Sequence, residues 1–395
     1  MGIKTCSIPH DARVELPEDL LRDFQAHSIV TWDFNDFHNR LLDPNVVNSD
    51  LLNIEYSPYA ASILSYLSAW CYSNQEDFAG MMARAGIKGV ECIEVSRWND
   101  SMFISATAEV IRSDDGRLAI VCFRGTELSN AINWLTDVSA TPEEVYNNEI
   151  KVHGGFMRNF QSVWPEVVQS LCCRIEEDEH GNPRFRRDDN RLDRLEALYI
   201  CGHSLGGAMA TLAALSLHYV GVDNEVMKKL RGKLKGVYTY GQPMLVAGKS
   251  ESNNVPALEE YAEHAVYRHV FEKDLVPHLP PIETGPWCHV GVERRWEQGQ
   301  WKPHTKPEYS AQAKASAFAT GITLFLTDQL HPSHVMQRIS KYFSYSFGDH
   351  APYNYTENLP PNPVVVVEQP LEGLAYVTNI IQEGVANVLH AVFGI

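Results

Sequence analysis

The chain has 395 residues, 44% of them hydrophobic and 21% charged, with a formal net charge of -17 at neutral pH. That mixture excludes a disordered or fibrous protein. The acidic excess argues against nucleic acid or an anionic membrane as partner, because both call for a basic surface.

Residues 1–56 mix Asp, Asn, Pro and apolar residues without a sustained period and read as an N-terminal arm packing on the core. The first residues lack a basic segment followed by an apolar run, so a cytoplasmic location is expected, with export by a route that needs no conventional leader as the alternative. At Ser57-Pro58 a helix signal begins, a capping side chain followed by proline at the first helical position. Strand-like runs follow at 117–125, 195–202, 235–241 and 265–271. Near-continuous apolar strands separated by helix-length segments predict the α/β class, with a mostly parallel central sheet and helices on both faces.

The charged segment 176–194 reads as a solvated loop. The apolar run 315–327 is too short to cross a hydrocarbon core of about 30 Å, so no stable transmembrane segment is expected. Residues 358–395 read as a proline-rich connector and an amphipathic helix with Leu371, Leu374, Val377, Ile381, Val385, Val388 and Val392 on one stripe. Of eight cysteines, Cys122 and Cys201 fall in strand-like runs and Cys172 and Cys173 in a helix-like one, which suits buried free thiols. No CxxC or Cys/His ligand spacing is present, so neither a metal nor a cofactor is implied.

The chemistry concentrates at Gly202-His203-Ser204-Leu205-Gly206. A serine hydroxyl is a poor nucleophile unless it is held exposed beside a base, with donors ready for the oxyanion. A sharp strand-to-helix turn achieves this only if the residues two before and two after the serine lack side chains, as Gly202 and Gly206 do. The apolar run before this pentad and the Ala- and Leu-rich run after it supply strand and helix.

Five blocks, "YICGHSLGGAMATLAAL", "AIVCFRGTE", "VHGGFMRNF", "VYTYGQP" and "FEKDLVPHLPP", in this order and spacing resemble the class 3 lipases, the α/β-hydrolase family of fungal triacylglycerol lipases and their bacterial relatives. The chain looks like a bacterial-type member, with the hydrolase domain over 57–357. The resemblance implies the α/β-hydrolase fold and a serine carboxylic-ester hydrolase, most simply a triacylglycerol lipase or carboxylesterase acting on a lipid or ester substrate at an interface. A phospholipase A1 or feruloyl-type esterase, and a non-catalytic lipase-like binding module, are the alternatives.

The same resemblance assigns roles. The backbone N–H of Leu205 and Thr126 would form the oxyanion hole, and a lid near 127–138 would present Leu128, Ile132, Trp134 and Leu135. In the hydrolase fold the triad runs serine, acid, histidine along the chain. Asp274, after the strand-like run 265–271, fits the acid. His289 and His350 compete for the base; His289 precedes a further strand-like run, whereas His350 lies beyond it and resembles the family's His-x-x-Tyr with Tyr353. The sequence therefore favours Ser204, Asp274 and His350. His153, in "HGGF", reads as structural support, and His203 as a residue turned into the body.

Overall fold

The computed structural model describes residues 2–12, 34–42, 55–102, 104–125, 141–146, 150–180, 183–247, 255–280, 287–304 and 348–359. Among them a nine-stranded sheet sets the architecture: β1 (Gly2–Ile8), β2 (Val90–Asn99), β3 (Ile104–Ser113), β4 (Leu118–Phe123), β5 (Ala197–His203), β6 (Leu234–Tyr240), β7 (Val266–Val270), β8 (Val292–Glu297) and β9 (Gln300–His304). Their order in space is their order in the chain. The pairings β4·β5, β5·β6, β6·β7 and β7·β8 are parallel, and the flanking pairings are antiparallel.

The reason lies in the burial of each run. Every residue of β4, β5, β6 and β7 is buried, so neither face meets water and the sequences do not alternate. The outer strands β1 and β9 carry exposed positions, as edges do.

Helices cover both faces. Helix α1 (Pro58–Trp70) begins as its sequence requires, with Ser57 Oγ accepting from the Ala60 N–H at 3.1 Å and proline in the first turn. It packs on one face with Ile63, Leu64 and Leu67 against Ile120, Cys122 and Tyr199. On the other face lie α2 (Gly154–Cys172) and α3 (Leu205–Tyr219), whose Phe160, Val163, Leu212 and Leu215 join Val121, Ile200 and Val237. A short helix, α4 (Pro352–Asn358), brings Tyr355 into the core on the α1 side.

Two expectations change. Residues 2–8 are a strand of the central sheet rather than an arm laid over it, because β1 pairs with β2 along its whole length. The charged segment 176–194 is also ordered: Cys173–Glu177 and Pro183–Arg187 form an antiparallel hairpin, followed by the helix Asp189–Arg194. Its charges are partners for one another, with Arg186 on Glu176 at 3.1 Å and Arg174 on Asp188 at 2.8 Å. The amphipathic stripe 371–392 lies outside the described residues.

Candidate active site

Strand β5 ends at His203, and α3 starts at Leu205. Ser204 makes the turn alone, with φ 58° and ψ -128°, a conformation that costs an L-residue of order 1–3 kcal/mol. The surroundings hold it there: its N–H donates to the Tyr240 carbonyl at 2.9 Å, and its carbonyl accepts from Gly207 N–H at 2.9 Å. A Cβ on Gly202 would run into the Gly206 backbone, and one on Gly206 into the Phe123 carbonyl. Both glycines are thus required by close backbone approach. Leu205, at the first position of α3, has an N–H for which the helix provides no carbonyl.

Asp274 lies just past the end of β7 and is fully buried. A carboxylate there must be met by donors. Val276 N–H donates to Oδ1 at 2.9 Å, the Tyr355 hydroxyl donates to Oδ2 at 2.5 Å, and His350 Nδ1 donates to Oδ2 at 2.8 Å. These bonds fix the imidazole so that Nε2 is the remaining nitrogen, and among the described residues Nε2 is buried without a hydrogen-bond partner. Burial and the adjacent Asp274 carboxylate push the Tyr355 phenol far above its ordinary range, so it stays a donor.

The competing histidine is engaged elsewhere. His289 Nε2 donates to the Pro277 carbonyl at 2.6 Å. His153 caps α2, its Nδ1 accepting from Phe156 N–H at 3.4 Å, and stacks on the Phe156 ring with centroids 4.0 Å apart. Desolvation lowers it to about 4. Thr126, Leu128, Ile132, Trp134 and Leu135 lie outside the described residues.

Three residues of the site carried no sequence signal for the part they play. Gly241, with φ +59°, passes so near the acid–histidine pair that a Cβ would sit 2.7 Å from His350 Nδ1 and 2.8 Å from Asp274 Oδ2. Tyr355 is the tyrosine that reaches Asp274, whereas Tyr353 is 51% exposed. His203 accepts from the Tyr72 hydroxyl at 2.8 Å through Nδ1 and donates to the His350 carbonyl at 2.7 Å through Nε2. Burial, with His350 beside it, drives His203 far below its ordinary value and keeps it neutral.

Residues 120–284 match the family model for class 3 lipases. Among curated proteins, the lipase of Rhizomucor miehei is 28% identical over 203 residues, covering 50% of this chain and 47% of the relative. A triacylglycerol lipase of Arabidopsis thaliana, OBL1, is 28% identical over 257 residues, covering 59% and 47%. The secreted mono- and diacylglycerol lipase 1 of Fusarium solani is 28% identical over 184 residues, covering 46% and 45%. The chain spans about half the length of these relatives. They are fungal and plant proteins and lend no support to a bacterial-type member.

The cytoplasmic expectation is corrected by the same comparison. Its only basis was the look of the N-terminal residues, and a relative that carries the matching region is a secreted enzyme. Among the described residues one helical stretch, Leu205–Val222, is long and apolar enough to cross a membrane, but 78% of it is buried inside the fold, where it serves as the core helix after the elbow.

Proposed function

Because residues 120–284 match the class 3 lipase family model, we propose that the chain hydrolyses acylglycerol esters through an acyl-enzyme on Ser204. The observation that carries this reading is the bond from His350 Nδ1 to the buried Asp274, which leaves the other ring nitrogen unpartnered on the same end of the sheet as the strained serine.

In the proposed reaction Ser204 Oγ attacks the ester carbonyl while His350 Nε2 takes its proton. The ring then gives that proton to the departing alcohol. Asp274 stays ionised, holds the tautomer and stabilises the imidazolium. Charge developing on the carbonyl oxygen is met by the Leu205 N–H, with Thr126 as the second donor; one such donor is worth about 2.7–4 kcal/mol in the transition state. Water repeats the sequence on the acyl-enzyme, and His350 is the base again.

A neutral ester is favoured over an anionic one by the net charge of -17, and a lipid ester by the family match. Residues 57–357, together with the strand Gly2–Ile8 of the same sheet, would form the hydrolase domain. The test has two parts: a fluorophosphonate probe should label wild-type protein and not Ser204→Ala, and the wild type should release fatty acid from an emulsified triacylglycerol. Labelling without release from any acylglycerol would sink the substrate assignment, and absence of labelling would sink the nucleophile.

A further inference from the structure

Strands β1 and β2 run antiparallel with Cys6 directly opposite Cys92. Both side chains lie on the sheet face covered by α1. Opposed residues in an antiparallel pair hold their Cα atoms about 4.5–5.5 Å apart, inside the roughly 4.4–6.8 Å that a disulfide spans. The two thiols are close enough to perturb each other's titration. Cys6 is part exposed on the outermost strand, and Cys92 is fully buried behind it.

From this geometry we propose that Cys6 and Cys92 are an oxidation site, at which a low-molecular-weight disulfide such as oxidised glutathione converts them to a disulfide that fastens β1 to the sheet. The Cys6 thiolate attacks one sulfur of oxidised glutathione, forming a mixed disulfide and expelling glutathione thiolate. The Cys92 thiol, deprotonated in the step, attacks the Cys6 sulfur and expels the second glutathione. Two protein thiols are oxidised, one disulfide is reduced to two thiols, and both protons end on glutathione or solvent.

The order of attack follows from the setting. Contact with Cys92 holds the Cys6 thiol below its ordinary value against the opposing effect of burial, while the same contact and burial push Cys92 well above it. The accessible sulfur is therefore the better nucleophile and the buried one the resolving partner.

A buried pair shows what distinguishes this one. Cys122 and Cys201 also face each other, on the parallel strands β4 and β5, but both are fully buried and no oxidant reaches them. These remain the inert thiols the sequence suggests.

The full-length reduced protein, incubated with oxidised glutathione, should yield a Cys6–Cys92 linked peptide pair under non-reducing digestion and lose two of its eight titratable thiols. Because the link closes a long loop, the thermal midpoint should rise by on the order of 5 °C and return on reduction. Cys6→Ser, a substitution at a part-exposed position, should show neither change. Cys92→Ala should stop at the glutathione adduct on Cys6; if that variant fails to fold, Cys6→Ser decides. An adduct on Cys6 that never resolves in the wild type, a link to a different cysteine, or a link without a change in midpoint would overturn the proposal. Ester hydrolysis plays no part in these readouts, so failure here leaves the proposed function standing, and the reverse holds too.

Discussion

His203 donates through Nε2 to the backbone carbonyl of His350 at 2.7 Å, and the two rings lie 4.5 Å apart. The residue next to the nucleophile thus supports the main chain of the proposed base. Replacing His203 with Phe keeps the bulk and removes the donor, leaving a buried carbonyl unpaired at a cost of about 1–3 kcal/mol. Turnover of a soluble ester should fall about 10- to 100-fold, because small misplacement of a catalytic group is expensive. Probe labelling of Ser204 should persist at a reduced rate. Wild-type turnover in this variant would show that the bond does not matter.

Gly241 gives a sharper steric test. Its φ of +59° and the proximity of His350 and Asp274 both exclude a side chain. Gly241→Ala should lower kcat by about 100-fold or more with little change in KM, and cost roughly 1–3 kcal/mol of stability. Steady-state kinetics and thermal melts together check this. A variant that melts early but turns over normally would contradict the placement of Gly241 against the pair.

The Tyr355 hydroxyl is one of three donors to Asp274. Tyr355→Phe should leave the fold intact at a loss of about 1–3 kcal/mol and reduce kcat/KM by about tenfold. The matching change Tyr353→Phe, at a half-exposed position, should do neither. Equal effects from the two would remove the distinction drawn from the geometry.

The identity of the base is testable by the histidines themselves. His350→Ala should reduce turnover by roughly 10⁴-fold or more. His289→Ala removes the bond to the Pro277 carbonyl, which does not involve Asp274, and should keep most activity. The opposite ranking would exchange their roles.

Away from the site, Glu109 supplies a pH signature. It is 2% exposed, and burial, reinforced by the Glu94 carboxylate, raises it to about 8 from an ordinary 4.5. The folded state then holds a proton that the unfolded state releases. Its contribution is full below about pH 4.5 and is lost as pH climbs to about 8, a change on the order of 5 kcal/mol across the window. Glu109→Gln cannot lose that proton, so its melting temperature should fall less than that of the wild type between those limits. Parallel melting curves across the range would refute the buried neutral acid.

What the sequence disclosed follows from how local each signal is. The elbow was legible because its glycines, strand and helix are contiguous around Ser204. The α1 start was legible for the same reason, resting on Ser57 and Pro58. The acid and base could be ranked only by chain order and resemblance. Gly241, Tyr355 and the bond from His203 to His350 escaped, since each is defined by a neighbour brought near by the fold and not by spacing. β1 escaped too, because a half-exposed edge strand has no strong pattern of its own, and its partner β2 begins more than eighty residues later.

The segment that brings His350 to Asp274 also anchors itself on α1, where Ser62 Oγ donates to the Leu359 carbonyl at 3.1 Å. This gives the proposed chemistry a place in time. A ribosome delivers Ser204 146 residues before His350, an interval of roughly 7–30 s at about 5–20 residues per second. For that interval a chain that has reached Ser204 still lacks position 350. On the proposed mechanism, then, the chain would gain its base only when the segment around His350 and Leu359 docks on α1.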